Sequence, residues 1–121
     1  MNQLAKARAI LKTFKIKPNR SEQRLLDFLN EFFPGEFIFN DGSFLINQKI
    51  PDFPCINKHK AILELIGRRD FPKHTDEELE EREKLFKRYG FRTLFIYQED
   101  LRDEDKLFED ILFFLHYGYK D

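Results

Sequence analysis

Residues 60–66, Lys-Ala-Ile-Leu-Glu-Leu-Ile, restrict the fold more than any other passage of the chain. So continuous an apolar run reads as a strand covered on both faces, yet Glu64 sits inside it. A carboxylate buried ionised and alone costs several kcal/mol or takes up a proton. The fold must therefore bring Glu64 a partner. Twelve residues earlier, Pro51-Asp52-Phe53 sets Asp52 at the end of another extended segment. Two carboxylates converging from neighbouring strands offer hard oxygen ligands suited to a divalent cation such as Mg²⁺.

A length of 121 residues suits one domain with a sizeable core. The apolar share of 41% against 36% charged is that of a globular chain rather than a disordered one. Fifteen Phe and no Trp predict a core built on phenyl rings. No apolar run approaches the roughly 18–20 residues that cross a bilayer. No long apolar stretch follows the basic start either, so a cytoplasmic protein without a secretory signal or membrane contact is expected. The single cysteine, Cys55, excludes an internal disulfide and a cysteine-based zinc cluster; it reads as a small core residue. Net charge is only −1, but the charges are unevenly spread. Residues 1–20 hold Lys6, Arg8, Lys12, Lys15, Lys17 and Arg20 and no acid, whereas acids dominate from Glu99 onward. A basic arm or short helix over 1–17, ahead of a single domain over 18–121, would either meet phosphate or simply solvate the terminus.

Leu4, Ala7, Ile10, Leu11 and Phe14 predict a short helix over 3–14, closed by Pro18. A stronger helix starts at Ser21 as N-cap and carries Leu25, Leu26, Phe28, Leu29, Phe32 and Phe33 at helical spacing. Pro34-Gly35 ends it. Residues 36–40, 43–46 and 49–53 read as extended segments around an Asp41-Gly42 turn and an Asn47-Gln48 corner. A charged loop, 67–74, follows the apolar strand. Thr75 or Asp76 caps a helix through Tyr89, with Leu79, Leu85, Phe86 and Tyr89 inward and Gly90 just past its end. A strand over 92–98 and a helix over about 103–117, with Leu107, Ile111, Leu112, Phe114 and Leu115 inward, complete the chain. Two apolar strands joined through a helix predict a parallel crossover beside an antiparallel portion. The expected class is α/β, a mixed sheet between helices.

Pro51-Asp52, followed at a distance of twelve by Glu64 within Ile62-Leu-Glu-Leu, resembles the PD-(D/E)xK nuclease motif. Ser21-Glu22-x-x-Leu25-Leu26, Asp41-Gly42-Ser-Phe44, Pro51-Asp52-Phe53 and Ile62-Leu-Glu64-Leu-x-Gly67, in that order, are similar to the very-short-patch-repair-like endonucleases. So are Arg82-x-x-x-Phe86-Lys-Arg-Tyr-Gly90-Phe and Thr93-Leu-Phe-Ile-Tyr97-Gln-Glu-Asp-Leu101. That group includes homing endonucleases with an E-D-x-H-D signature, and the resemblance spans about residues 17–101. It implies a restriction-endonuclease-like fold, a mixed β-sheet flanked by α-helices. It also implies DNA as substrate and Mg²⁺-dependent phosphodiester hydrolysis, with Mn²⁺ able to substitute. On this resemblance Asp52 is the principal metal ligand and Glu64 a second acid of the site. Glu22 matches the helical acid of the signature, His74 the histidine that acts on water or phosphate, and Arg82 an arginine that holds a phosphate. Two departures stand out. The position two beyond Glu64 is Ile66, so the motif lysine is missing, and His74 lies several residues farther past Gly67 than the family histidine. A DNA-binding or protein-interaction module that keeps the nuclease fold without the chemistry is therefore the alternative.

Plain roles compete with these assignments. Asp52 could cap a turn after proline, Glu22 could serve the helix dipole, and His74 could be a solvated loop residue. Lys49, Arg68, Arg69 and Lys73, with Lys17 and Arg20, would line a DNA path through salt-dependent phosphate contacts. The acidic run 76–81 reads as a solvated helix face that directs DNA to another side. A homodimer would cut both strands and a monomer would nick.

Overall fold

A computed structural model describes residues 15–55, 57 and 59–117; the helix expected over 3–14 lies outside them. Helix α1, Arg20–Phe32, begins one residue before the expected cap, because Asn19 fills that role. The Asn19 side chain accepts the Glu22 N–H at 2.9 Å, and Glu22 accepts the Asn19 N–H at 2.9 Å. This reciprocal pair satisfies two donors that the helix leaves open. A cap at Ser21 would place Arg24, which cannot accept, in the answering position. Ser21 Oγ instead accepts the Gln98 side-chain N–H at 2.7 Å.

The segment after α1 departs from the expected hairpins. Asn40 and Ile38 each donate one backbone N–H, to the carbonyls of Asp52 (2.9 Å) and Pro54 (3.2 Å), and no ladder strand forms over 36–52. The reason is the buried side chain of Asn40. Its Nδ2 donates to the Phe44 and Pro51 carbonyls at 2.7 and 2.8 Å. Its Oδ1 accepts the Gly42 and Phe44 N–H groups at 3.0 and 3.2 Å. One amide thus takes the place of strand pairing and holds the loop that delivers Pro51. Gly42, at φ +100°, turns where another residue would be strained. Ile46 and Lys49 form an isolated bridge around the Asn47-Gln48 corner.

Strands β1, Phe53–Cys55, and β2, Ala61–Ile66, pair antiparallel with Phe53 opposite Leu63. Helix α2, Asp76–Arg88, carries the chain across to β3, Arg92–Tyr97, which pairs parallel to β2 with Glu64 opposite Phe95. The expected crossover is therefore present, and the sheet is mixed in the order β1-β2-β3. Thr75 caps α2 through a second reciprocal box with Glu78, and Gly90 at φ +89° follows its end. A 3₁₀ turn, Gln98–Arg102, which the sequence did not announce, leads into α3, Glu104–Tyr117.

Alternation along β2 divides the core. Ala61 and Leu63 join a large cluster with Leu25, Leu29, Ile96, Ile111 and Phe114, between the sheet and the helices α1 and α3. Ile62 belongs to a smaller cluster with Ile46 and Phe86, on the α2 side. The inward set is narrower than the helical periodicity suggests. Tyr89 is 54% exposed, and Phe32 and Leu112 also face out, each at the edge of its helix's apolar stripe. No helix among the described residues is long and apolar enough to cross a membrane.

Candidate active site

Register brings the two carboxylates together. Asp52 lies one residue before β1, so with Phe53 opposite Leu63 it comes level with Glu64. Each acid then grips the other's strand. The Asp52 N–H donates to Glu64 Oε2 at 2.8 Å, and the Leu65 N–H donates to Asp52 Oδ2 at 2.9 Å.

Glu64 is only 2% exposed, and its partner comes from the chain itself. Glu64 shares a face of β2 with Ile62, which packs against Phe86 of α2. Arg82 lies one helical turn before Phe86, so its guanidinium reaches the same place. Arg82 Nε donates to Glu64 Oε1, and Nη2 donates to the Ile50 carbonyl at 3.0 Å. The guanidinium also lies 4.9 Å from the centre of the Phe86 ring. Glu64 thus has a positively charged partner on a neighbouring helix. Among the described residues Asp52 has no such partner. Burial, and then the adjacent Glu64 carboxylate, push it from 3.8 up to about 8, with Glu22 adding further repulsion. The Leu65 N–H opposes this rise and is outweighed.

Both acids line a cleft of about 780 Å³ between the sheet and α2. Lys49, His74, Glu78, Glu81, Arg82, Lys84 and Arg88 share its walls. His74 is half exposed, with Nδ1 3.4 Å from Glu78 Oε2. Glu78 and Glu81 are solvated, as the acidic run predicts, but they face this cleft rather than a surface remote from it. Among the described residues, no group of three or more His, Cys, Asp or Glu is disposed to hold a metal ion.

The remaining candidates are scattered. Glu22 is engaged in the α1 cap, within electrostatic reach of Asp52. Arg68 forks onto Asp70 at 2.9 and 2.7 Å. Arg69 forks onto Asp100 at 2.7 and 3.1 Å and lies 4.1 Å over the Tyr97 ring. These two arginines and Lys73 line a smaller recess of about 170 Å³ that His74 also borders. Lys17 and Arg20 are exposed at the start of α1, away from both lining sets. Sequence reasoning missed Asn40, and it missed Lys84 and Arg88 as cleft residues. The signal for Arg88 was the helical spacing of Glu78, Arg82, Leu85 and Arg88, which marks one stripe of α2; Lys84 lies one turn after Glu81, at that stripe's edge.

No protein-family model and no curated protein matches the sequence. Among solved structures, the fold is similar to that of the homing endonuclease I-Bth0305I catalytic domain. The TM-score is 0.63 at 16% identity, covering 85% of this chain and 100% of that one. At that identity the likeness establishes a common α/β fold.

Proposed function

We propose that this chain is a metal-dependent DNA endonuclease of the very-short-patch-repair-like type, hydrolysing phosphodiester bonds at the Asp52–Glu64 cleft. The observation that carries the reading is the convergence of two carboxylates from adjacent strands on a cleft whose walls also hold Lys49, Lys84, Arg88 and His74. Similarity to a homing endonuclease catalytic domain supports it at the level of fold.

The residues present fit a divalent cation. Burial beside the Glu64 carboxylate, to which its side chain is hydrogen-bonded, leaves Asp52 short of positive charge. Asp52 and Glu64 would hold Mg²⁺, with Mn²⁺ substituting through the same hard oxygens. When bound, such an ion neutralises phosphate charge and lowers the pKa of its water. His74, oriented through Nδ1 by Glu78, leaves Nε2 to move a proton at the attacking or departing oxygen. Glu22 adds negative potential behind Asp52. Lys49, Lys84 and Arg88 would position the backbone of the strand being cut. The arm over 1–17, with Lys17 and Arg20, and the Arg68–Lys73 loop would extend that contact. As a monomer the protein nicks; a homodimer cuts both strands.

Incubating wild type and Asp52→Asn with supercoiled and genomic DNA in Mg²⁺, Mn²⁺ and EDTA tests the reading. Wild type is expected to nick in either metal and not in EDTA, and Asp52→Asn to lose that activity. His74→Ala should retain a residual rate, lower by about 10²–10⁴-fold. One observation favours a catalytically degenerate DNA-binding or protein-interaction module instead: Arg82 already neutralises Glu64. No cleavage in any metal, with equal DNA retention by wild type and Asp52→Asn at low salt, would select that module.

A further inference from the structure

Among the described residues, Arg82 is the one side chain joined to a carboxylate of the Asp52–Glu64 pair by an ion pair. Both Glu64 oxygens are in use, Oε2 by the Asp52 N–H and Oε1 by Arg82 Nε. The Oε2 bond ties the Glu64 side chain to the Asp52 backbone, next to β1, and with the Leu65–Asp52 bond it holds the two acids level. The Oε1 bond can be given up. Arg82 sits on a long side chain at the cleft wall, 29% exposed, and its other anchors are the Ile50 carbonyl and the Phe86 ring. A second cation on Oε1 would stand against the guanidinium at contact distance, where like charges in a poorly solvated site repel strongly.

We propose that Arg82 is the resident counter-ion of the carboxylate pair, and that a divalent cation binds Asp52 and Glu64 only by displacing the Arg82 guanidinium from Glu64 Oε1. The inference rests on the nuclease reading, because it takes the pair as a cation site. It adds that the site is never left as bare buried carboxylates. One cation exchanges for another, and the chain remains folded in either state. It also gives Arg82 two positions. Without the ion it clips α2 to β2 and to the Ile50 carbonyl. With the ion it retains Ile50 and Phe86 and turns the freed N–H toward the cleft, where an anionic group of the substrate would lie.

Mn²⁺ binding by isothermal titration calorimetry to wild type, Arg82→Gln and Asp52→Asn tests the competition without reference to cleavage. Arg82→Gln is expected to bind Mn²⁺ about tenfold more tightly than wild type, within the usual range of coupling between sites. Asp52→Asn should abolish binding in either background. If Arg82→Gln binds equally or more weakly while Asp52→Asn still abolishes binding, the displacement fails and the nuclease reading stands. If neither wild type nor Arg82→Gln binds Mn²⁺, both fall. Should Arg82→Gln not fold, wild type alone decides through the Arg82 ¹⁵Nε–H resonance. Mg²⁺ is expected to move that resonance from a slowly exchanging, hydrogen-bonded position to a solvent-exchanging one. A resonance unmoved at saturating Mg²⁺, with saturation followed on the Leu65 amide, would overturn the proposal.

Discussion

On the side of β2 that faces α1 and α3, Ala61 and Leu63 disappear into a core shared with Leu25, Leu29, Ile111 and Phe114; on the side that faces α2, Ile62 and Glu64 meet a cluster with Ile46 and Phe86 as its other buried members. The same short strand is therefore packed solid on one face and opened to a charge and a cleft on the other. Apolar burial on the first face supplies the driving force that holds the sheet. The second gives up part of that burial, and Glu64, Arg82 and Asp52 occupy the space. Local rules are broken on the one face where the other can bear it.

Truncation on each face gives the largest effects and tests the contrast directly. Leu63→Ala should cost about 4 kcal/mol, near the upper end for a buried leucine, because helices on one side and sheet on the other prevent collapse into the void. Ile62→Ala should cost about 2 kcal/mol, because the cleft lets α2 settle toward the strand. Urea unfolding of both variants measures the gap. Equal costs would mean that the α2 face is as tightly packed as the other, and the contrast would be lost.

A smaller effect separates the faces by pH. Asp52 holds its proton in the folded chain to about pH 8, chiefly through burial and secondarily through Glu64, against 3.8 ordinarily. As pH rises through that window the unfolded chain ionises first, so it binds fewer protons than the folded chain. Stability from this group is then complete below about pH 4, falls between about 4 and 8, and levels off above. Asp52→Asn cannot ionise and keeps an acceptor for the Leu65 N–H, so its advantage over wild type should grow with pH. Without divalent ions, denaturant unfolding is expected to show a gain of at least ~1.4 kcal/mol between pH 5 and pH 8, the equivalent of one pKa unit. A constant difference across that range would place Asp52 in an ordinary, solvated setting.

The apolar run over 60–66 and the helix-then-strand order were enough to read the parallel crossover and mixed sheet, because both follow from periodicity and chain order. Glu64 stood out for a related reason: a charge inside a strand buried on both faces must be answered. What answers it was not legible. Arg82 lies 18 residues away on another element, and only the packing of Phe86 on Ile62 aims it at Glu64. The hairpin expected over 36–46 failed for the opposite reason. Asn40 reads as the last residue of an extended segment, but its amide makes four hydrogen bonds and displaces the ladder. Ser21 was a sound cap by residue type, and Asn19 won because Glu22 can answer it. The Asn19–Glu22 box lay within reach of sequence reading, whereas Arg82 on Glu64 and Asn40 on the Pro51 carbonyl join positions outside the window in which periodicity and residue preference operate.

The smallest expected effect lies beside Ile62. Thr93 is its parallel partner across β2 and β3, on the α2 face of the sheet, and is fully buried. Its hydroxyl has no hydrogen-bond partner among the described residues. Thr93→Val keeps the β-branched shape suited to the strand and removes an oxygen that folding strips of water. A gain of about 1 kcal/mol is expected in urea unfolding. The gain should persist in Asp52→Asn at pH 8, because the hydroxyl and the carboxylate make no shared bond and their effects should add. Loss of stability in Thr93→Val would mean that water reaches this hydroxyl between sheet and α2. The α2 face would then be hydrated beyond the cleft, and the dry apolar link from Phe86 through Ile62 that aims Arg82 at Glu64 would no longer hold.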